Sequence, residues 1–177
     1  MKNYFGLGAL LILMACNNAE KKTSEGKDTT THETEVVATV TPDFKDIKLQ
    51  NIYTSYISLK DALVSSKQDE AKIAAKALGA ELKNYTGCEN TAITANKIES
   101  AKDIMDQRKE FTSLSSDVIA MFKHAELKKG AIFVQHCPMA NKGEGGDWLA
   151  SEKKIQNPYY GSEMMECGAV IEEIKAK

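Results

Sequence analysis

Apolar and polar positions change their spacing several times along the chain. An unbroken apolar run covers residues 4–15, and a polar stretch poor in bulky side chains follows it to about Thr41. Apolar residues then return at three-to-five-residue steps: Phe44, Ile47, Ile52, Tyr56, Leu59 and Leu63. That spacing predicts an amphipathic helix. Thr41-Pro42-Asp43 would start it, with proline near the first turn and an acid at the positive end of the helix dipole. Residues 65–69 read as a short turn. A second helix carries Ala71, Ala74, Ala75, Leu78, Leu82 and Tyr85 on one face and stops at Thr86-Gly87.

A third helical stretch is predicted from about residue 94 to 127, with Ile98, Met105, Phe111, Leu114, Val118 and Phe122 on its apolar face. The run Thr112-Ser113-Leu114-Ser115-Ser116-Asp117 is expected to kink or split it, because short hydroxyl side chains compete for backbone hydrogen bonds. Lys128-Lys129-Gly130 would close it. Beyond Gly130 the pattern turns β-branched and aromatic, and predicts a strand over 131–135 with a partner over 168–174. The expected fold is mainly α. It is an antiparallel up-down bundle of three or four helices with a small C-terminal two-stranded β-element and a long loop.

The first 40 residues set a context. Met1-Lys2-Asn3 and the apolar run after it have the form of a signal peptide, too short to span a bilayer as a helix. The run ends in Leu13-Met14-Ala15-Cys16, which resembles the bacterial lipobox. On that reading residues 1–15 are a lipoprotein signal, Cys16 is the acylated residue, and several acyl chains hold the protein on a membrane. Residues 16–41 bury too little apolar surface to order and are expected to form a tether. Residues 42–177 make the folded domain. His32 is a solvated bystander in the tether.

Composition removes some functions. The formal net charge is −2 and aromatics are 7% of the 177 residues. With no basic stripe and no interleaved aromatics, nucleic acid is not an expected partner. The helical part contains no Gly-rich phosphate loop, Gly-x-Ser-x-Gly elbow or His-Glu-x-x-His helix, and no nucleophile–base pattern is in view. The chain is read as a non-enzyme.

Soft donors concentrate near the C-terminus. Gln135-His136-Cys137-Pro138-Met139-Ala140 is answered by Met164-Met165-Glu166-Cys167-Gly168. Pairing the two predicted strands brings His136 and Cys137 to Cys167. Cys137 and Met139 are two apart, as are Met165 and Cys167, so on extended backbone each pair shares a face. The expected site is therefore Cys137, Cys167, Met139 and Met165, with His136 as a further donor. Thiolates and thioethers suit Cu(I) or Ag(I), and Zn(II) less well. Asp147 and Glu166 are candidates for supporting hydrogen bonds. The same two cysteines also suit a disulfide in an oxidising envelope, stapling a loop of about thirty residues with a gain of about 3–4 kcal/mol. A thiol-redox role has less in its favour, since no Cys-x-x-Cys is present. Cys88 is left as a free thiol, a disulfide partner or an extra ligand. His124 is expected to cap a helix end rather than reach the site.

His-Cys-Pro-Met-Ala, Trp-Leu-Ala-Ser-Glu, Ile-Gln-Asn-Pro-Tyr-Tyr-Gly and Met-Met-Glu-Cys-Gly together resemble a domain of unknown function found mainly in Bacteroidetes. It occurs as a stand-alone envelope lipoprotein and fused to periplasmic adaptor subunits of copper/silver-type heavy-metal efflux pumps. The resemblance covers about residues 44–174 and is strongest over 134–168. It implies an outer-membrane lipoprotein facing the periplasm and a metal-efflux adaptor as partner. The expected role is a Cu(I) or Ag(I) chaperone or buffer. The alternative is an interaction module docking on the adaptor, held by a Cys137–Cys167 disulfide.

Overall fold

The computed structural model describes residues 41–177. The lipobox cysteine Cys16, the tether and His32 lie outside the described residues. A two-residue strand β1 (Asp43–Phe44) precedes four long helices: α1 (Ile47–Val64), α2 (Gln68–Lys83), α3 (Glu89–Ser100) and α4 (Ile104–Phe122). Then come β2 (Leu127–Lys129), β3 (Ala131–Cys137), a short helical turn α5 (Ala140–Gly143), β4 (Gly146–Ala150), a 3-10 turn (Gly161–Glu163) and β5 (Ala169–Lys175).

Thr41-Pro42-Asp43 does not start the first helix. Asp43 and Phe44 pair with β2 instead, and Asp46 caps α1, its carboxylate accepting the Lys48 amide at 2.8 Å. Consecutive helices pack on one another across short links at 65–67, 84–88 and 101–103, giving an up-and-down arrangement. The predicted third helix is two. Ala101 is extended, and Asp103 opens α4 by accepting the Asp106 amide at 2.9 Å. The hydroxyl-rich run expected to break the helix lies inside α4 unbroken. Its hydroxyls have partners elsewhere: Ser115 shares a 2.5 Å hydrogen bond with the Tyr56 hydroxyl, and Thr112 donates to Asn141 Oδ1 at 3.0 Å. Lys128 and Lys129 belong to β2 rather than to a helix end.

Aromatic side chains join the two ends of the helical run. Phe44, Tyr53 and Phe122 form a three-ring cluster with centroids 5.1–5.6 Å apart, and Tyr56 stacks on Phe111 at 5.6 Å. Small residues at Ala71, Ala74, Ala75, Ala92 and Ala95 keep α2 and α3 close to their neighbours; all five are buried. No helix among the described residues is long and apolar enough to cross a membrane.

The C-terminal sheet has three strands in the order β4-β3-β5, both pairs antiparallel, where two strands were expected. Residues 146–150, within the stretch expected to be a long loop, supply the extra strand. Their neighbour β3 is buried along most of its length, with Ile132, Phe133, Val134, Gln135 and Cys137 all interior. The free edge of β4 abuts the helices: the Leu149 amide donates to the Tyr56 hydroxyl at 3.1 Å. The same tyrosine thus links α1, α4 and the sheet.

Candidate functional site

β3 is the central strand, and its last residue is Cys137. In register Cys137 faces Gly146 of β4, while His136 faces Ala169 of β5. Cys167 precedes β5 and so arrives beside Cys137. Their sulfurs stand 3.0 Å apart, and both are free thiols. A disulfide bond would measure about 2.05 Å. Cys137 is wholly buried and Cys167 half-buried. The hydrogen bond with Cys137, followed by burial, raises the Cys167 thiol above its ordinary value, while the Met139 amide donates to its sulfur and pulls the other way.

Glycines and the Asn157-Pro158-Tyr159-Tyr160 segment hold this corner together. Asn157 is buried; its Nδ2 donates to the Cys167 carbonyl at 3.1 Å, and its backbone amide to the Met165 carbonyl at 3.0 Å. Its Oδ1 accepts the Tyr159 amide at 2.8 Å, closing an Asx turn. The Tyr159 hydroxyl donates to the Asp147 carbonyl at 2.9 Å, and the Tyr160 hydroxyl to the Met139 carbonyl at 2.6 Å. Tyr159 occupies the space a side chain at Gly146 would need, since a Cβ there would lie 2.6 Å from its ring. Gly168, at φ 148°, passes so close to the His136 carbonyl that a Cβ would meet it at 2.7 Å. Arg108 of α4 fastens the segment to the helices. Its Nε donates to the Pro158 carbonyl at 2.9 Å, and one Nη to the Leu63 carbonyl and to Ser66 Oγ at 2.9 and 2.8 Å.

The expected donor set is only partly assembled. The two cysteines meet. His136 does not join them: neighbouring residues of a strand face opposite ways, and His136 Nδ1 is engaged by Asp147 Oδ1 at 2.6 Å. Asp147 thus supports the histidine rather than the thiols. Met139 contributes its amide, while its side chain is 51% exposed. Period-two spacing fails there because β3 ends at Cys137, and Met139 already has turn geometry (φ −87°, ψ −13°). Met165 likewise sits in a turn before β5 and contributes its carbonyl to Asn157. Its half-buried thioether is close in sequence to the pair, but Met165 and Cys167 share no strand face. Cys88 is buried at the start of α3, and burial raises its thiol. His124 is exposed near Ile174, which pairs with Ile132 at the opposite end of β3 from Cys137. Among the described residues no group of three or more His, Cys, Asp or Glu is placed to hold a metal ion.

The scaffold residues Arg108, Asn157 and Tyr160 were not singled out individually by sequence reasoning. Asn-Pro-Tyr carried the one signal available, an Asx turn next to a proline.

Residues 52–130 match the family described as Protein of unknown function (DUF3347). The DUF3347 match therefore runs from within α1 to the end of β2 and stops one residue short of β3. It takes in the helical part and leaves the cysteine pair outside, whereas the sequence resemblance was strongest over 134–168. No curated protein and no solved structure matches the chain.

Proposed function

We propose that Cys137 and Cys167 bind one soft monovalent metal ion, Cu(I) or Ag(I), in a non-catalytic protein that stores or passes on that ion. The observation carrying this reading is the 3.0 Å approach of two free thiols at the end of β3. Two thiolates suffice for a soft monovalent ion. Structural zinc asks for four ligands, and the cysteine pair has no third His, Cys, Asp or Glu among the described residues. With metal–sulfur bonds of about 2.3 Å, as for zinc, a linear site would hold the sulfurs about 4.6 Å apart. Cys137 is fixed in the central strand, so Cys167 and the turn before it supply the opening. The exposed Met139 thioether and the half-buried Met165 thioether, each two residues from a cysteine, are the candidates for a third donor. An acylated Cys16 would place the protein on the cell envelope, and an efflux adaptor would be its receiving partner.

A second reading is favoured by the same short distance: the pair closes to a disulfide that staples 138–166, and the domain is an interaction module docking on the adaptor. One experiment separates the two. The full chain, reduced and kept from oxygen, is titrated with Cu(I) against a colorimetric chelator, with a thiol count on the protein as isolated. The metal reading expects one ion per chain, lost in Cys137→Ser and in Cys167→Ser while both stay folded. Failure to compete, with both thiols blocked on isolation, overturns it in favour of the staple.

A further inference from the structure

A cleft of about 560 Å³ opens between α4, the α5 turn and the Tyr159-Tyr160 segment. Its volume is in the range of small-molecule sites. Three cations line it, Arg108, Lys109 and Lys142, against two carboxylates, Asp106 and Glu144.

Arg108 is the unusual member. It is 7% exposed, and among the described residues no carboxylate pairs with it. Its bonds to Pro158, Leu63 and Ser66 use Nε and one terminal nitrogen. A guanidinium has five N–H donors, so the two on Nη1 are left over. Among the described residues its hydrogen-bond partners are all neutral, and no carboxylate is in direct contact with it to offset its burial. Burial accordingly lowers its pKa, offset only by the field of Glu163.

Lys142 is held at the cleft by a costly backbone. Asn141 and Lys142 both have left-handed conformations, φ 53° and 62°, which non-glycine residues rarely adopt. Thr112 donates to Asn141 Oδ1 and Asn141 Nδ2 donates to the Gly145 carbonyl at 2.8 Å, fixing the turn. The remaining wall is apolar or aromatic: Met105, 63% exposed, and the rings of Tyr159 and Tyr160.

We propose that this cleft binds a small organic anion bearing one carboxylate or phosphate group. The charged end meets the free Nη1 of Arg108 with Lys109 and Lys142, and the apolar part lies against Met105 and Tyr160. Asp106 and Glu144 disfavour highly charged ligands. The site uses neither Cys137 nor Cys167 and is independent of the metal reading.

The chain's single tryptophan reports on the cleft, because Trp148 packs edge-on against Tyr159 at 6.1 Å. Tryptophan emission of the full chain, excited at its red edge, is followed during titration with benzoate, phenyl phosphate and the neutral benzyl alcohol at constant ionic strength. Saturable change with either anion and none with the alcohol is the expected result. Benzoate alone identifies a carboxylate ligand and phenyl phosphate alone a phosphate, and each upholds an anion site. Arg108→Gln should abolish binding, but Arg108 also holds the fold. Lys142→Gly is the second variant: glycine takes φ 62° freely, so it should be at least as stable as the parent yet bind about threefold more weakly. No saturable response to either anion, an equal response to benzyl alcohol, or unchanged affinity in a folded Lys142→Gly overturns the proposal.

Discussion

Asn157 shows how much one buried amide side chain can hold. It ties the Cys167 carbonyl, the Tyr159 amide and, through its backbone, the Met165 carbonyl. Asn157→Ala would leave a buried carbonyl and a buried amide without partners, a loss of about 2–3 kcal/mol. Urea titration should show the midpoint fall, and thiol labelling of Cys167 should quicken because the turn carrying it is released. At Gly146 the limit is space rather than polarity. Gly146→Ala pushes a methyl into the Tyr159 ring and should cost about 1–3 kcal/mol by overpacking, read in the same titration. The metal reading has its own test at this scale. Proton release must accompany binding to thiols, and the Cys167 proton is held more tightly than usual by its hydrogen bond to Cys137. Cu(I) affinity should therefore climb as pH rises toward the ordinary thiol value of 9.0. A flat affinity between pH 6 and 8.5 would speak against two thiolate ligands.

Among the elements, α3 and α4 depend on a boundary only three residues long. Asp103 caps α4, and Asp103→Ala should lower stability by about 1 kcal/mol in thermal or urea unfolding. This boundary also shows what was legible beforehand. The first two helices follow from their apolar spacing to within a few residues, because each buries one face on a neighbour. The break at 101–103 was misplaced because apolar spacing runs straight through it, and only the Asp103-x-x-Asp106 cap marks it. The hydroxyl run at 112–116 was misread as a helix breaker because the partners of Ser115 and Thr112, Tyr56 and Asn141, are far away in sequence. β4 was missed for a similar reason: Gly146-Asp147-Trp148-Leu149-Ala150 is short and glycine-flanked, and becomes a strand by pairing with β3. The meeting of Cys137 and Cys167 was legible from the strands they adjoin. The placement of Met139, Met165 and His136 was not, since it depends on where those strands end.

For the molecule as a whole, burial biases several groups toward their neutral forms. Desolvation raises Tyr53, Tyr56 and Tyr159 above the ordinary phenol value of 10.0, and Cys88 above the ordinary thiol value of 9.0. The unfolded chain loses these protons first. Their contribution is complete below about pH 9 and is lost as pH rises through the raised native values. Stability measured by urea should therefore decline progressively above pH 9, with the phenolate absorbance of these three rings, half of the chain's six tyrosines, appearing together with unfolding rather than before it. A chain that releases all six tyrosine protons while still folded would contradict the burial of these rings.

The two cysteines that meet are made at different times, and among the described residues Cys88 precedes them both. Cys88 emerges during synthesis before either partner and lies in a helical segment whose contacts are mostly between sequence neighbours, the kind that forms fast. In the folded helices its thiol is buried and withdrawn from exchange. Cys137 then emerges after the Cys88 thiol is already sequestered, and waits about thirty residues for Cys167. The order of the helices before the sheet thus keeps Cys88 from pairing with either of them. Loosening the contact between α2 and α3 should be felt first as Cys88-linked covalent dimers and scrambled monomers, before any loss of helix content.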